Sequence, residues 1–538
     1  MKKFLLSSIV IIVSFMLVLT GCGSDETTPA TTITTQTTAT TQTSASTTHT
    51  TQTTQTTVTA TPTADANMYG GVYHYPLSVA PSTPLGYPSE SANDVGPIAG
   101  VALERLVLIG DDGTIYPRLA TSWDIDPDAK TITYHLRQGV KFTDGSDFTS
   151  KDVKWNWDLQ IEAGKTKNWD SIDIIDEYTV VLKLKVYQNT SFGIAYPIAS
   201  KTAFDQHGIE WARENPVGTG PFVFVEHERG VRVYFEKNEN YWDTGKPYLD
   251  AIEFIVISDD TVRNLAFKRG DIDEFTAAGL DAQELDQLGF PYHQRIGGTF
   301  VLIPDSVNAD SPLSNLKVRQ AISYAIDRES IATNLGYGFA NPAYRLYPGF
   351  DVSKVNETIT GQDTEKAKQL LAEAGYPNGF QTTIYTQTRV VPEYYITALA
   401  AMLTDVGINT TPTFPEAGKY TEMRYGGWSN GMMAQALAQI SSDNPNGLFS
   451  AYFALAFPSM YKSPEWEAAF EASFNSPELD RALVKDVFQI MYDQVMVIPF
   501  LEETVMIFQR PGAHNAGLDV APQQYFWSHL AWLEPDAR

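Results

Sequence analysis

The chain has 538 residues, and at about 100–200 residues per domain that length implies several structural units around sizeable cores. Hydrophobic residues make up 43% and aromatic residues 12%, which excludes a wholly disordered or fibrous chain. With 38 Lys+Arg against 64 Asp+Glu the formal charge is −26, which argues against a nucleic-acid partner, and the single cysteine excludes intrachain disulfides and multi-cysteine metal sites.

Lys2 and Lys3 precede an apolar run from Phe4 to Leu19, the charged start and hydrophobic middle of a secretory signal, so residues 1–21 are expected to be a signal peptide. The run ends in Leu19-Thr20-Gly21-Cys22, which resembles the lipobox of bacterial lipoproteins. That resemblance implies cleavage before Cys22 and lipidation of its thiol. A second acyl chain on the new amino terminus would make the anchor stable, since one chain binds membranes only marginally. From Cys22 to about Asn67 the sequence is dominated by threonine and nearly lacks large apolar side chains, so 22–67 reads as a disordered linker. No Lys or Arg occurs between Lys3 and Arg105, which removes any polybasic membrane contact from this tether.

Beyond residue 69 apolar periods of two and 3.6 alternate, the mark of mixed α and β elements. A first strand is expected at Val72 to His74. Thr149 with Asp152 opens a helix over Lys151 to Ile161 in a capping-box manner. Strands follow over 178–186, 231–235 and 251–257, the last continuously apolar as in a strand covered on both faces. Asp259 and Gly270 bracket a helix, a long helix is expected over Leu316 to Leu335 with Asn315 as its cap, and Asp363 starts another that Gly375 and Pro377 stop. Further helices are expected over 393–406, 465–474 and 478–494. No apolar run after residue 67 reaches the roughly 18 residues a membrane span needs.

A search for reaction chemistry returns little. Asp124, Asp126 and Asp128 begin a calcium-loop spacing, but Ala129 replaces the required glycine and His135 the closing glutamate, so an acidic turn between strands is expected. Gly218-Thr219-Gly220-Pro221 lacks the lysine of a phosphate loop and precedes a strand, so it reads as a turn. The eight histidines, His74, His514 and His529 among them, show no pair at metal-ligand spacing, and no Gly-x-Ser-x-Gly elbow occurs. No catalytic residue, metal site or cofactor is assigned.

Three stretches do carry a resemblance. The first holds Asp112-Gly113, Pro117-x-Leu119-Ala120-x-Ser122-Trp123 and Leu136-Arg137-x-Gly139-Val140-Lys141-Phe142-x-Asp144-Gly145. The second holds Val217-Gly218-Thr219-Gly220-Pro221-Phe222, Asn240-Tyr241-Trp242 and Gly270-Asp271-Ile272-Asp273. The third runs from Pro312-Leu313 through Val318-Arg319-Gln320-Ala321-Ile322-Ser323-Tyr324-Ala325-Ile326-Asp327-Arg328 to Ala374-Gly375-Tyr376. Together they resemble the extracytoplasmic solute-binding proteins of ABC transporters, family 5, the oligopeptide- and dipeptide-binding group. The resemblance implies a two-lobed α/β fold of the large peptide-binding type, with hinge closure over ligand. Lobe I is expected at 68–298 and 505–538, with a subdomain near 115–215, and lobe II at 299–504.

It also implies a non-enzymatic monomer, tethered to the cell membrane by lipid and facing outward, that delivers a solute to ABC permease and ATPase subunits. A surface hydrolase or a ligand sensor on the same fold is the alternative. Peptide binders of the family hold the peptide amine with an aspartate in a Trp-x-x-Asp pattern. Here the counterpart is Gly427-Trp428-Ser429-Asn430-Gly431, with glycine in the aspartate's place, and Asp443 is the substitute carboxylate. An oligosaccharide competes, with Trp428, Tyr425, Asn430 and Tyr75 as aromatic faces and amide partners, and nickel or another small solute stands behind both. Arg345 lies in a loop that the family brings near ligand. Trp428 also reads as a core tryptophan.

Overall fold

The structure, a computed structural model, describes residues 66–82, 84–90, 96–109, 115–188, 196–346, 361–438, 456–476, 479–515 and 528–537, together with 359, 446, 449 and 453. The signal peptide, Cys22, nearly all of the expected linker and Asp443 lie outside the described residues.

Three sheets organise the chain. In the first, Val72–Leu77 pairs in parallel with Ala251–Val256, which is followed by Arg232–Lys237 and Phe222–Glu228. The second is antiparallel, in the order Ala120–Asp126, Thr131–Leu136, Thr179–Leu184, Trp169–Asp176. The largest has seven strands, in the order Glu274–Ala277, Ile498–Gln509, Tyr292–Pro304, Gly431–Ala438, Phe380–Tyr385, Ile408–Thr413, with Ala340–Pro342 also on Ile498–Gln509. Because strand side chains alternate, Phe300 and Leu302 enter one core of this sheet while Val301 and Ile303 enter the core on its other face. Both faces are covered by helices, which explains the continuous apolar runs.

Local signals act as read in most places. Thr149 and Asp152 form a reciprocal capping box on Ser150–Glu162. Asp259 caps Asp260–Arg269 through the Val262 amide, and Gly270 closes that helix in the left-handed region. The expected single helix over 316–335 is corrected: it is two, Leu316–Ala325 and Arg328–Leu335. Ile326 is extended and the Asp327 side chain accepts from the Ser330 amide, so a capping residue breaks a stretch whose apolar period continues through it. Pro127 and Asp128 lie in the turn between Ala120–Asp126 and Thr131–Leu136, and Asp124 bonds His135 across the strands at 2.9 Å.

The strands Tyr292–Pro304 and Ile498–Gln509 are antiparallel neighbours, roughly 40 Å long at about 3.3 Å per residue. Both expected lobe boundaries, 298/299 and 504/505, fall within this pair, where Gly298 faces Glu503 and Ile296 faces Thr504 across a register irregularity. Beyond it, Met506 and Phe508 pack with Phe267, Phe275 and Leu285 in a separate core.

The motif residues of the second stretch converge on one buried carboxylate. Glu104 accepts from Arg118 Nη2 (2.6 Å) and Tyr241 Oη (2.8 Å) on one oxygen, and from Thr219 Oγ1 (3.0 Å) and Trp242 Nε1 (2.7 Å) on the other. The Arg137 guanidinium lies over the Trp242 ring at 4.1 Å, and Arg118 reaches His529 near the chain's far end at 3.1 Å. Gly218 and Gly220 are needed beside it, because a Cβ at either would fall 2.1 or 2.6 Å from the Ala102 carbonyl oxygen. Removing the carboxylate strands a buried guanidinium, so Glu104→Ala should cost about 3–5 kcal/mol, read as a lowered urea midpoint. The milder Glu104→Gln should retain a larger share of the stability.

Candidate functional site

The crossing of the two long strands gathers charge of both signs. Glu502 and Glu503 follow the apolar Ile498–Leu501, and both are half-buried. Burial raises the pKa of each; Arg345 and the Asn341 amide, 3.2 Å from Glu502 Oε1, pull Glu502 back, and Arg295 does so for Glu503. Tyr75, on the first strand, packs its ring 5.4 Å from that of Phe254 and feels the charges of Glu274 and Arg295, while burial holds its hydroxyl well above the usual phenol value. Two expected residues, Tyr75 and Arg345, thus lie at this crossing, Arg345 exposed.

The other expected residues lie elsewhere. Gly298 faces Ala438 and Pro304 faces Met432, so the segment before Gly431 sits at the opposite end of the shared strands, six residues or roughly 20 Å away. Trp428 is 9% exposed, donates from its indole to the Gly431 carbonyl at 3.1 Å, and packs edge-on to Phe457. Its backbone is clamped on both sides by the Ser459 hydroxyl. That is a core environment. Tyr425 is exposed with Arg424 over its ring at 5.5 Å, Gly427 ends the helix Ala417–Gly426 at φ 97, and Asn430 adopts φ 45 with its amide donating to Asp305 at 2.7 Å. At Gly431 a Cβ would fall 2.5 Å from the Tyr385 ring, so no aspartate fits there. The buried acid at this end is Asp305, which accepts from the backbone amides of Asn430 and Asn308.

Sequence reasoning did not single out Arg295, Glu502 and Glu503, which lie at the crossing. The available signal was the pair of adjacent glutamates interrupting Ile498-Pro499-Phe500-Leu501 and Val505-Met506-Ile507-Phe508, two acids in a run otherwise fit for a buried strand.

Behind Tyr75 a second group of charges joins the first strand to Glu274–Ala277. Asp273, fully buried, accepts from the His74 amide at 2.6 Å and pairs with Arg510, and its hydrogen bond to the imidazole, with its charge, raises the His74 pKa. Glu274 accepts from the Tyr73 hydroxyl at 3.1 Å, and burial pushes its carboxyl up to about 7. Among the described residues no three His, Cys, Asp or Glu side chains converge in a way that could hold a metal ion.

Two outcomes follow from these environments. Trp428→Ala should lower stability by about 3 kcal/mol, seen in the urea midpoint of the protein without added solute, because a packed indole is removed. The folded Glu274 carboxyl keeps its proton to a higher pH than in the unfolded chain, so its contribution is full at low pH and is lost as pH rises through about 7. Glu274→Gln should therefore flatten the fall in stability between about pH 5 and about pH 8, measured by the same midpoints.

Residues 114–457 match the family described as bacterial extracellular solute-binding proteins, family 5. Among curated relatives, a glutathione-binding protein of Pectobacterium atrosepticum is 32% identical over 319 residues, 56% of this chain and 61% of the relative. The nickel-binding periplasmic protein of Escherichia coli is 29% identical over 56% of this chain and 60% of its own length. The alignments thus span about three-fifths of these relatives. Among solved structures, a periplasmic binding protein DppA of Helicobacter pylori in complex with a peptide superposes with a TM-score of 0.71 at 22% identity, covering 87% of this chain and 99% of that one. NikA of Brucella suis in complex with Fe(III)-EDTA gives 0.72 at 23%, covering 82% and 96%. These likenesses carry the fold, a two-lobed α/β architecture, and with the match over 114–457 they establish that the chain belongs to the extracellular solute-binding proteins of family 5.

Proposed function

We propose that this protein is the solute-binding lipoprotein of an ABC importer, capturing a peptide-like solute outside the membrane and passing it to permease and ATPase subunits. The observation that carries the reading is the set of opposed charges at the strand crossing, Arg295 and Arg345 against Glu502 and Glu503, beside Tyr75. A zwitterion with separated ammonium and carboxylate finds partners there through charge-assisted hydrogen bonds, each stronger than a neutral one. A neutral oligosaccharide would rely on open aromatic faces, and Trp428, its principal candidate, is packed in the core.

In this reading lobe I comprises 68–298 and 505–538 and lobe II 299–504, and closure bends the pair at Gly297, where the register slips between Ile296 and Gly298. Cys22 carries the lipid and 22–67 the tether. Unfolding the purified protein and analysing the released material by mass spectrometry should give a peptide or amino-acid derivative. Release of a glycan, or steady turnover of peptide pools by the protein, would overturn the proposal. Cys22→Ala should move the protein from the membrane to the soluble fraction; unchanged membrane attachment would defeat the anchor.

A further inference from the structure

The strand Val72–Leu77 belongs to the first sheet and Glu274–Ala277 to the largest, and side chains on both faces of Val72–Leu77 join them. His74 and Asp273 bond each other twice: the His74 amide donates to the Asp273 carboxylate at 2.6 Å, and the Asp273 amide donates to the His74 carbonyl at 2.9 Å. On one face the half-buried His74 imidazole stands between two carboxylates. Its Nδ1 is 3.3 Å from Asp273, and its Nε2 is 3.6 Å from Glu253, its register partner on Ala251–Val256. Behind these acids lie Arg510, paired with Asp273, and Arg232, 2.7 Å from Glu253. On the other face, toward the core, Tyr73 donates to Glu274 at 3.1 Å and Asn515 bonds the same carboxyl.

A neutral imidazole serves only one of its two acids. Donating from Nδ1 to Asp273 leaves the Nε2 lone pair against Glu253, and the other tautomer reverses the fault; only the imidazolium donates to both. The hydrogen bond to Asp273, helped by the charges of Asp273 and Glu253, outweighs burial and Arg510, so the ring holds its proton above the ordinary histidine pKa. Glu274 is held differently. Its hydrogen-bond partners are a hydroxyl and an amide, its register partner Gln509 is uncharged, and the titratable groups around it are Tyr73, Tyr75 and Asp273. Burial, with the charge of Asp273 beside it, therefore keeps the proton on this carboxyl up to about 7.

We propose that this junction is a two-proton clasp: with His74 and Glu274 each holding a proton the first sheet is tied firmly to the largest, and when both protons leave the tie loosens. Deprotonation removes one positive charge and adds one negative charge where Asp273 and Glu253 already stand, so both steps act in the same direction. Arg510 directly follows the long strand Ile498–Gln509 and its amide donates to the Asp273 carbonyl at 3.0 Å. The clasp thus governs how firmly that strand is rooted against Val72–Leu77. This inference is independent of what solute the protein carries.

The test follows amide hydrogen exchange of the full chain by mass spectrometry at about pH 5.5 and about pH 8, corrected for the intrinsic pH dependence of exchange. Both groups bind a proton more tightly in the folded chain, so protection is full in acid and is lost as pH rises through the folded values. Segments 72–77 and 274–277 should lose protection about ten- to a hundredfold between the two conditions, and the helix Leu316–Ala325 should lose far less. His74→Gln and Glu274→Gln should each remove part of that dependence, and the double variant nearly all of it. Histidine-labelled nuclear magnetic resonance gives a second reading: His74 should titrate above the histidines of the urea-unfolded chain, and Glu253→Gln should bring its midpoint down. Protection at the junction that does not change with pH, or changes no more than in Leu316–Ala325, would overturn the clasp in the unaltered protein without need of a variant. So would a pH dependence that survives the double substitution, or a His74 midpoint at or below the unfolded value.

Discussion

Everything between Pro304 and Ile498 hangs from one antiparallel ladder. The strand Tyr292–Pro304 carries the chain into the seven-stranded sheet and Ile498–Gln509 brings it back beside the same strand. Two adjacent strands with matched hydrogen bonds resist stretching and shear, yet a ladder two strands wide can bend and twist where its register slips. The site follows from this constraint. Polar side chains on these strands lie close to groups from both directions of the chain, Tyr75 from one and Asn341, Arg345 and Tyr394 from the other.

The motif residues that mark the family serve a different end. Glu104, Arg118, Thr219, Tyr241 and Trp242 satisfy one another so fully that no polar capacity is left over for a ligand. The third stretch behaves similarly. Arg328 is 2% exposed and spends its guanidinium on the carbonyls of Ala343, Pro499 and Ser323, and Arg319 donates to those of Leu313, Ser314, Gln494 and Val495. Burial drags both guanidiniums below their ordinary pKa, down to about 10, still charged at neutral pH. A buried arginine without a carboxylate partner is costly, and here backbone carbonyls replace the ion pair while fixing where the returning strand must lie. These residues identify the scaffold and are silent about the solute.

That division explains what the sequence disclosed. Caps and turns were legible because their physics is local: Thr149 with Asp152, Asp259 with Gly270, and the glycines beside Ala102 each act within a few residues or at one close approach. The break at Asp327 escaped because capping competed with an apolar period that fits one helix as well as two. The residues expected to bind a solute separate in the structure. Tyr75 and Arg345 lie at the crossing, whereas Trp428 and Asn430 are at the sheet's other end, since a pattern of residue types carries no information on which end of a strand it will border. Glu502 and Glu503 were visible as acids in an apolar run, but their surroundings, Asn341 and Arg345 for one and Arg295 for the other, come from distant parts of the chain.

The core beneath the first strand has a consequence for how the molecule is made. It unites Tyr73, Phe222 and Phe254 with Ala513, Ala531 and Leu533, so it draws on nearly the first and nearly the last described residues. The two cores that Phe300–Ile303 enter need nothing beyond Leu501. As a chain emerges from its amino end, the part that starts later is therefore able to finish first, and the part that starts first must wait, with an unfilled apolar face, for the final segment. Factors that shield exposed hydrophobic surface would matter most for those early strands, during an interval set by the time taken to deliver the remaining residues.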